Sequence, residues 1–328
     1  IGFFLAMQVI LTFTVWFRGF GVFSGPDPYM RLVRVLECRG GFACPDGVLT
    51  LSNTPFGEVL HWPFLLDRLI AVLAAPFLAF TDLRTATILG GYLVGPILGV
   101  AAMFALTAIA RVVLVDHAAR WVPVLASVHY WVLDAFAPVR PDHHGLQTLL
   151  FLVAFLGVIR IVGSSESSQG GWLAGIGVGL AIWVSTEGLV SVAPLLIVLT
   201  LFWVFAGGSR VTAGSARLWT TAAAVLGVGL LLDGPSPHRW AVEFDRFSVV
   251  HFFAFFLGAL FWSAVVVRTP RGFIGRLLLF VSASGIAGWA LATVYPGVER
   301  GPFSGVAPEL WPLFLTHVHE FTPLRRLS

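Results

Sequence analysis

Five short polar stretches in this chain carry residue types able to do chemistry. The first is Gly25-Pro26-Asp27-Pro28-Tyr29-Met30-Arg31-Leu32. Proline on both sides of Asp27 fixes the local backbone and removes donors. Asp27 then either caps an entering helix or is presented by the chain to a ligand. The second is Arg140-Pro141-Asp142-His143-His144-Gly145, which offers one carboxylate and two imidazoles in a tight corner suited to a metal or a phosphate. Adjacent histidines on extended backbone point apart, so a single ion takes only one of them there. The alternative is that Asp142 caps a helix beginning near His143. The third, His317-Val318-His319-Glu320-Phe321-Thr322-Pro323, is a polar loop by itself. Glu187 lies between two apolar runs, where an acid is costly unless it faces a cavity or a partner. The last stretch, Glu243-Phe244-Asp245-Arg246-Phe247-Ser248, places Arg246 either on a phosphate or on Asp245 or Glu243.

The elements that must position these groups follow from composition. The 328 residues are 57% hydrophobic and only 11% charged, with a mean hydropathy of +0.88, which excludes a soluble or disordered chain. A net charge of +3 spread along the chain gives no argument for nucleic acid. The reading is an all-α polytopic membrane protein. Runs long enough to span, or nearly so, are Ile1–Phe17, Ala86–Ala110, Trp121–Ala137, Leu146–Ile159, Trp172–Val184, Leu189–Ala206, Leu218–Leu232, Val249–Val267 and Leu277–Val294. Trp172–Val184 and the next run could also form one long helix. Four short connections, Arg111–Arg120, Arg160–Gly171, Gly207–Arg217 and Arg268–Arg276, hold eight Arg against two acids and are assigned to the inside. The alternate loops then fall outside, provided that His61–Phe80 lies along the surface within a long first outer loop. About nine crossings result, starting with the N-terminus inside. Asp27, Asp142, Glu187 and Glu320 all come to the outer face. Cys38 and Cys44 share one polar stretch there and either bridge or remain free thiols. The whole chain reads as one membrane module, residues 1–328, and as a piece of a longer protein.

The order of segments resembles the bacterial branch of the oligosaccharyltransferase catalytic-subunit family. Pro26-Asp27-Pro28-Tyr29-Met30-Arg31-Leu32, then Leu60-His61-Trp62 and Asp67, are similar to its first outer loop. Pro141-Asp142-His143-His144-Gly145 resembles its Asp-His-His turn. Ser185-Thr186-Glu187-Gly188-Leu189 with Pro194 resembles its Ser-Val-Glu-Ala-Leu-Pro segment, and His319-Glu320-Phe321-Thr322-Pro323 the Glu-x-x-Pro of the last outer loop. The resemblance implies a GT-C glycosyltransferase bundle in the bacterial plasma membrane. It also implies a lipid-linked glycan donor on polyprenyl pyrophosphate and a divalent metal, Mg or Mn, on the extracytoplasmic face. It carries over Asp27, Asp142 and Glu320 as metal-binding catalytic acids. His144 stands where many members have a second acid. The family's C-terminal domain, which reads a peptide sequon, is not in this sequence, so the acceptor is expected to be either protein or glycan.

In chemical terms, negative charge develops on the departing pyrophosphate, and a divalent cation stabilises it. Arg31 and Arg246 are the expected phosphate contacts, because guanidinium forks match phosphate oxygens. Asp27 also orients or deprotonates the acceptor. The His61–Phe80 helix and its neighbours are expected to form the groove for the prenyl tail. Two rivals remain. One is a metal-free transferase using a polyprenyl-phosphate monosaccharide; the other is a transporter, whose acids would sit nearer mid-membrane.

Overall fold

The computed structural model describes residues 1–328 apart from 18, 40–43, 45–46, 164–166, 234–239, 271, 304–306, 311 and 313–328. Helices dominate: α1 (Gly2–Trp16), α2 (Pro26–Cys38), α3 (Leu65–Ala74), α4 (Leu83–Val113), α5 (Asp116–Ala119), α6 (Val122–Ala126), α7 (Tyr130–Ala135) and α8 (His143–Gly163) come first. They are followed by α9 (Ser167–Val184), α10 (Gly188–Ala206), α11 (Ser209–Leu232), α12 (Val249–Val267) and α13 (Phe273–Val294). A small antiparallel hairpin, β1 (Val48–Leu49) with β2 (Glu58–Val59), stands between α2 and α3.

Among the described residues, six helices (α4, α8, α10, α11, α12 and α13) are long and apolar enough to cross a membrane, and α1 and α9 contain shorter apolar stretches. The expected span Trp121–Ala137 is not one helix. Pro123 begins α6, and His129 at ψ 123° interrupts the path before α7. Amides there still bond backward, Leu125 N–H to Trp121 O at 2.9 Å and Leu133 N–H to His129 O at 3.0 Å, as apolar surroundings demand. The alternative of one helix through Glu187 also fails. α9 stops at Val184, and Gly188 sits so close to α9 that an added Cβ would lie 2.5 Å from Ala181 O. His61–Phe80 forms the ten-residue α3 and then a 3-10 turn at Pro76, where the ring removes an amide donor. α11 begins at Ser209, so most of the expected inner loop Gly207–Arg217 is helix.

Small residues let these helices approach closely. Gly157 of α8 faces α9 so tightly that a Cβ would come within 2.3 Å of the Ala174 amide nitrogen. Along α4, Gly91, Gly95 and Gly99 lie four apart on one face and receive Leu32 and Pro141, the Phe136–Ala137 carbonyls, and the Phe4 ring, respectively. α13 has no buried residue and is fastened at its start, where Arg276 donates to the Val204 and Phe205 carbonyls at the end of α10 (2.9 and 3.2 Å).

One end of the bundle gathers the polar connections. Ser24 N–H donates to Val139 O (2.9 Å), Phe64 N–H to Asp233, and Thr186 Oγ1 to Asp245 O (2.9 Å). The segment 38–64 has a core of its own: a Cys38–Cys44 disulfide packs with Leu49, Leu60, Trp62 and Phe64. Beneath it Asp67, fully buried, is paired with Arg31 (3.3 Å) and with Arg34. Trp62 covers Arg31 at 4.6 Å, and Phe64 covers Arg34 at 4.5 Å.

Candidate active site

The site is built where α8 begins. Asp142 is buried, and its Oδ1 accepts the His144 N–H at 3.0 Å, so it does cap α8. Its Oδ2 takes Arg140 Nε at 2.6 Å, and Arg140 also grips Asp134. His144 Nδ1 lies 3.1 Å from Oδ1 but off the hydrogen-bond direction. Burial works against the Asp142 carboxylate, yet His144 and Arg140 outweigh it and hold its pKa below the ordinary value. The capping role and a ligand role are therefore compatible, because one carboxylate has lone pairs for both.

The turn between α9 and α10 brings Glu187 across to α8. His143 is buried and places Nε2 3.1 Å from Glu187 Oε2, while its Nδ1 has no partner. This bond, ahead of the opposing effect of burial, holds the Glu187 carboxyl below its ordinary value. His143 stacks on His144 with ring centroids 4.3 Å apart and lies 5.7 Å from Trp62. The helical backbone overturns the sequence expectation about adjacent histidines: one ligand atom from each of His143, His144 and Glu187 lies within 4.8 Å of the others. One imidazole nitrogen from each histidine and a carboxylate oxygen form a donor set that fits a divalent cation.

Asp27 is half-buried in the first turn of α2. Gly25 is the helix cap at φ 86°, a conformation that suits glycine, so the reading of Asp27 as the cap does not hold. Ser24 N–H donates to Val139 O, so the backbone is joined three residues before Asp27 and three before Asp142. Arg31 is fully buried, bonded through Nη1 to Pro63 O and Asp67, with Nε and Nη2 unbonded. Burial, partly offset by Asp67, pushes it down to about 10, still charged at neutral pH. Direct phosphate contact there requires the covering Trp62 ring to move. Arg246 is buried 3.7 Å from Glu243, the second of the two arrangements expected for it. Glu320 lies outside the described residues.

Sequence reasoning offered His143 as one of two imidazoles of which an ion would take only one, and quoted His61 only in the motif resemblance without a site role. His61 is exposed against Trp62 (4.5 Å between rings), and burial of part of its ring, with Arg31 nearby, lowers its pKa. The available signal was its place beside Trp62 in a loop already rich in acids. A groove of about 470 Å³ leads from His144 along α8 and α10, past Gln147, Thr148, Phe151, Ser191, Pro194 and Leu195. A separate apolar cavity of about 280 Å³ between α1 and α4 includes Phe77, the one residue of 61–80 that lines either space. The tail groove expected from His61–Phe80 thus has a competitor that opens beside the polar cluster.

No family model matches the sequence, and no curated protein matches it. Solved structures do match. One is an archaeal oligosaccharyltransferase, AglB from Archaeoglobus fulgidus, in complex with an inhibitory peptide and a dolichol-phosphate. It is similar over 96% of this chain and 40% of that chain, with a TM-score of 0.65 and 16% identity. The Archaeoglobus fulgidus oligosaccharyltransferase in complex with Zn and sulfate matches at 0.63 and 15% identity, over 86% of this chain and 38% of that one. The same enzyme tethered to an acceptor peptide containing the NVT sequon matches at 0.63 and 16%, over 88% and 38%. The chain therefore spans about two fifths of the length of these structures, and what it shares with them is the fold over that part.

Proposed function

We propose that the chain is the membrane module of an oligosaccharyltransferase-like glycosyltransferase. It moves a glycan from a polyprenyl-pyrophosphate carrier to an acceptor on the extracytoplasmic side. The observation that carries this reading is the convergence of Asp142, His144, His143 and Glu187 at the mouth of the α8–α10 groove. In our reading the bundle crosses the bacterial plasma membrane nine times, with α6–α7 as a broken crossing and α3 along the interface. The motif resemblance supports the bacterial branch; the solved neighbours are archaeal.

Asp142 and His144 would hold the cation, with Asp27 and Glu320 as further acids and Glu187 within reach through His143. When bound, a divalent cation neutralises negative charge on the departing pyrophosphate. A mixed nitrogen and oxygen set favours Mn over Mg. The chain's own residues do the remaining work. Asp142 stays ionised against burial through Arg140 and His144. Asp27 orients the acceptor nucleophile. Buried Arg31 adds positive potential beneath the site without leaving Asp67, and Arg246 does so from the 243–248 loop. The prenyl tail follows Phe151, Pro194 and Leu195 into the hydrocarbon. The acceptor is a peptide or a glycan; the solved neighbour holding a sequon peptide favours the peptide.

The test is transfer from a purified lipid-linked donor by the full-length membrane protein. Transfer that stops with chelator, returns with Mn²⁺ and is lost in Asp142→Asn, while the variant still inserts in the membrane, is the expected result. Transfer indifferent to chelator points to the metal-free monosaccharide chemistry instead. Uptake of solute into vesicles without any glycan product overturns the enzyme reading.

A further inference from the structure

The Asp233 carboxylate, at the end of α11, is buried and accepts hydrogen bonds from two of the segments that wall the candidate site. Both oxygens lie 2.9 Å from the Phe64 amide nitrogen, and Oδ2 takes Trp183 Nε1 at 2.6 Å. Arg68 Nη2 stands 3.7 Å from Oδ1 and donates to Leu232 O at 2.8 Å. Phe64 is the residue from which α3 starts, two beyond Trp62, whose ring abuts His143. Trp183 is in the last turn of α9, four residues before Glu187. The Trp183 and Phe247 rings both press on Gly229, where a Cβ would come 2.9 and 3.0 Å from them, so the 243–248 loop is seated by the same corner.

From this geometry we infer that Asp233 is a positioning residue: a single buried carboxylate that sets the Trp62 wall and the Glu187 wall at their working separation. The inference rests on the proposed cation site. A buried carboxylate is costly, and this cost is offset by an amide, an indole and a guanidinium brought from different parts of the chain. Losing it leaves two buried donors unbonded and frees both walls at once. Asp233→Asn keeps the shape but places an NH₂ against at least one of those donors. Trp183→Phe removes one bond only and leaves the carboxylate in place.

The experiment uses the full-length protein in detergent, with Mn²⁺ as the probe. Mn²⁺ affinity is read by electron paramagnetic resonance, and amide exchange is followed over residues 61–64 and 183–188. Asp233→Asn is expected to bind Mn²⁺ about tenfold more weakly, the scale seen when supports behind metal ligands are removed. Exchange should rise in both segments, and Trp183→Phe should show a smaller change in the second segment. Asp116→Asn, in the inner connection, should alter neither. If Asp233→Asn does not fold, Trp183→Phe alone decides the matter. Unchanged exchange, or raised exchange with unchanged Mn²⁺ affinity, overturns the positioning role. A wild-type protein that takes up no Mn²⁺ overturns the cation reading and this inference with it, an outcome distinct from failure in the variants alone.

Discussion

At the scale of single residues, the burial of charge makes the sharpest predictions. Asp67 is the carboxylate shared by two enclosed guanidiniums, so Asp67→Ala leaves Arg31 and Arg34 buried without their paired counter-charge. Removing one partner of a buried ion group costs about 3–5 kcal/mol, which predicts a large drop in the unfolding midpoint in detergent. A drop no larger than that of an exposed-site control would mean that the pair is solvated. Glu37 makes the opposite case, an exposed carboxylate. Its bonds to the Thr50 hydroxyl and amide hold its pKa below the ordinary carboxylate value and tie α2 to the hairpin. A depressed carboxyl contributes fully above its unfolded value, and the contribution fades as pH falls through the folded value. The stability difference between the wild type and Glu37→Gln should therefore be present at pH 7 and vanish on acidification; a difference independent of pH would remove the bond from the account. Residue identity alone exposed Asp142 and Glu187, because acids beside apolar runs are conspicuous. It could not show that Asp142 both caps a helix and faces His144, since that depends on where α8 starts. The expectation that adjacent imidazoles diverge assumed extended backbone, and a helical first turn stacks the rings instead.

At the scale of elements, hydropathy located most helices within a few residues. α12 matches its expected span, Val249–Val267, at both ends. Failures came where proline or tight packing decided the path. The extended turn at His129 divides the expected third span, Pro76 ends α3 in a 3-10 turn, and Gly188 separates α9 from α10. Apolar runs report that a segment avoids water, not whether it does so as one helix. Glycine spacing carries a further prediction. Gly157→Ala puts a methyl into the α8–α9 contact against backbone, which cannot rotate away. Overpacking of this kind costs about 1–3 kcal/mol. The midpoint of thermal unfolding should fall accordingly, while Gly163→Ala, with nothing within 4 Å, should not lower it for steric reasons. Equal effects at both sites would show that the helices separate easily.

At the scale of the molecule, the polar connections collect at one end, and that end holds every candidate group that the structure describes. Arginine bias in the opposite connections anticipated this grouping, because charge asymmetry across a bilayer is set by loops rather than by any contact within the fold. In intact cells carrying a cysteine in place of Thr54, with both native cysteines changed to serine, a membrane-impermeant thiol reagent should label position 54. A cysteine at Thr269 should be labelled only after permeabilisation. The reverse pattern would invert the topology and, with it, the assigned face of the site.

The Cys38–Cys44 bridge sits in the small core that seats Trp62 over Arg31 and against His143. Closing so short a loop is worth about 2 kcal/mol by chain entropy, and it requires an oxidising compartment. On the proposed topology, a newly made chain still facing the reducing interior lacks the clamp that braces this wall. The seat of Trp62 over Arg31 would then be completed only after this loop has reached the outer side, so the brace follows insertion rather than accompanying synthesis.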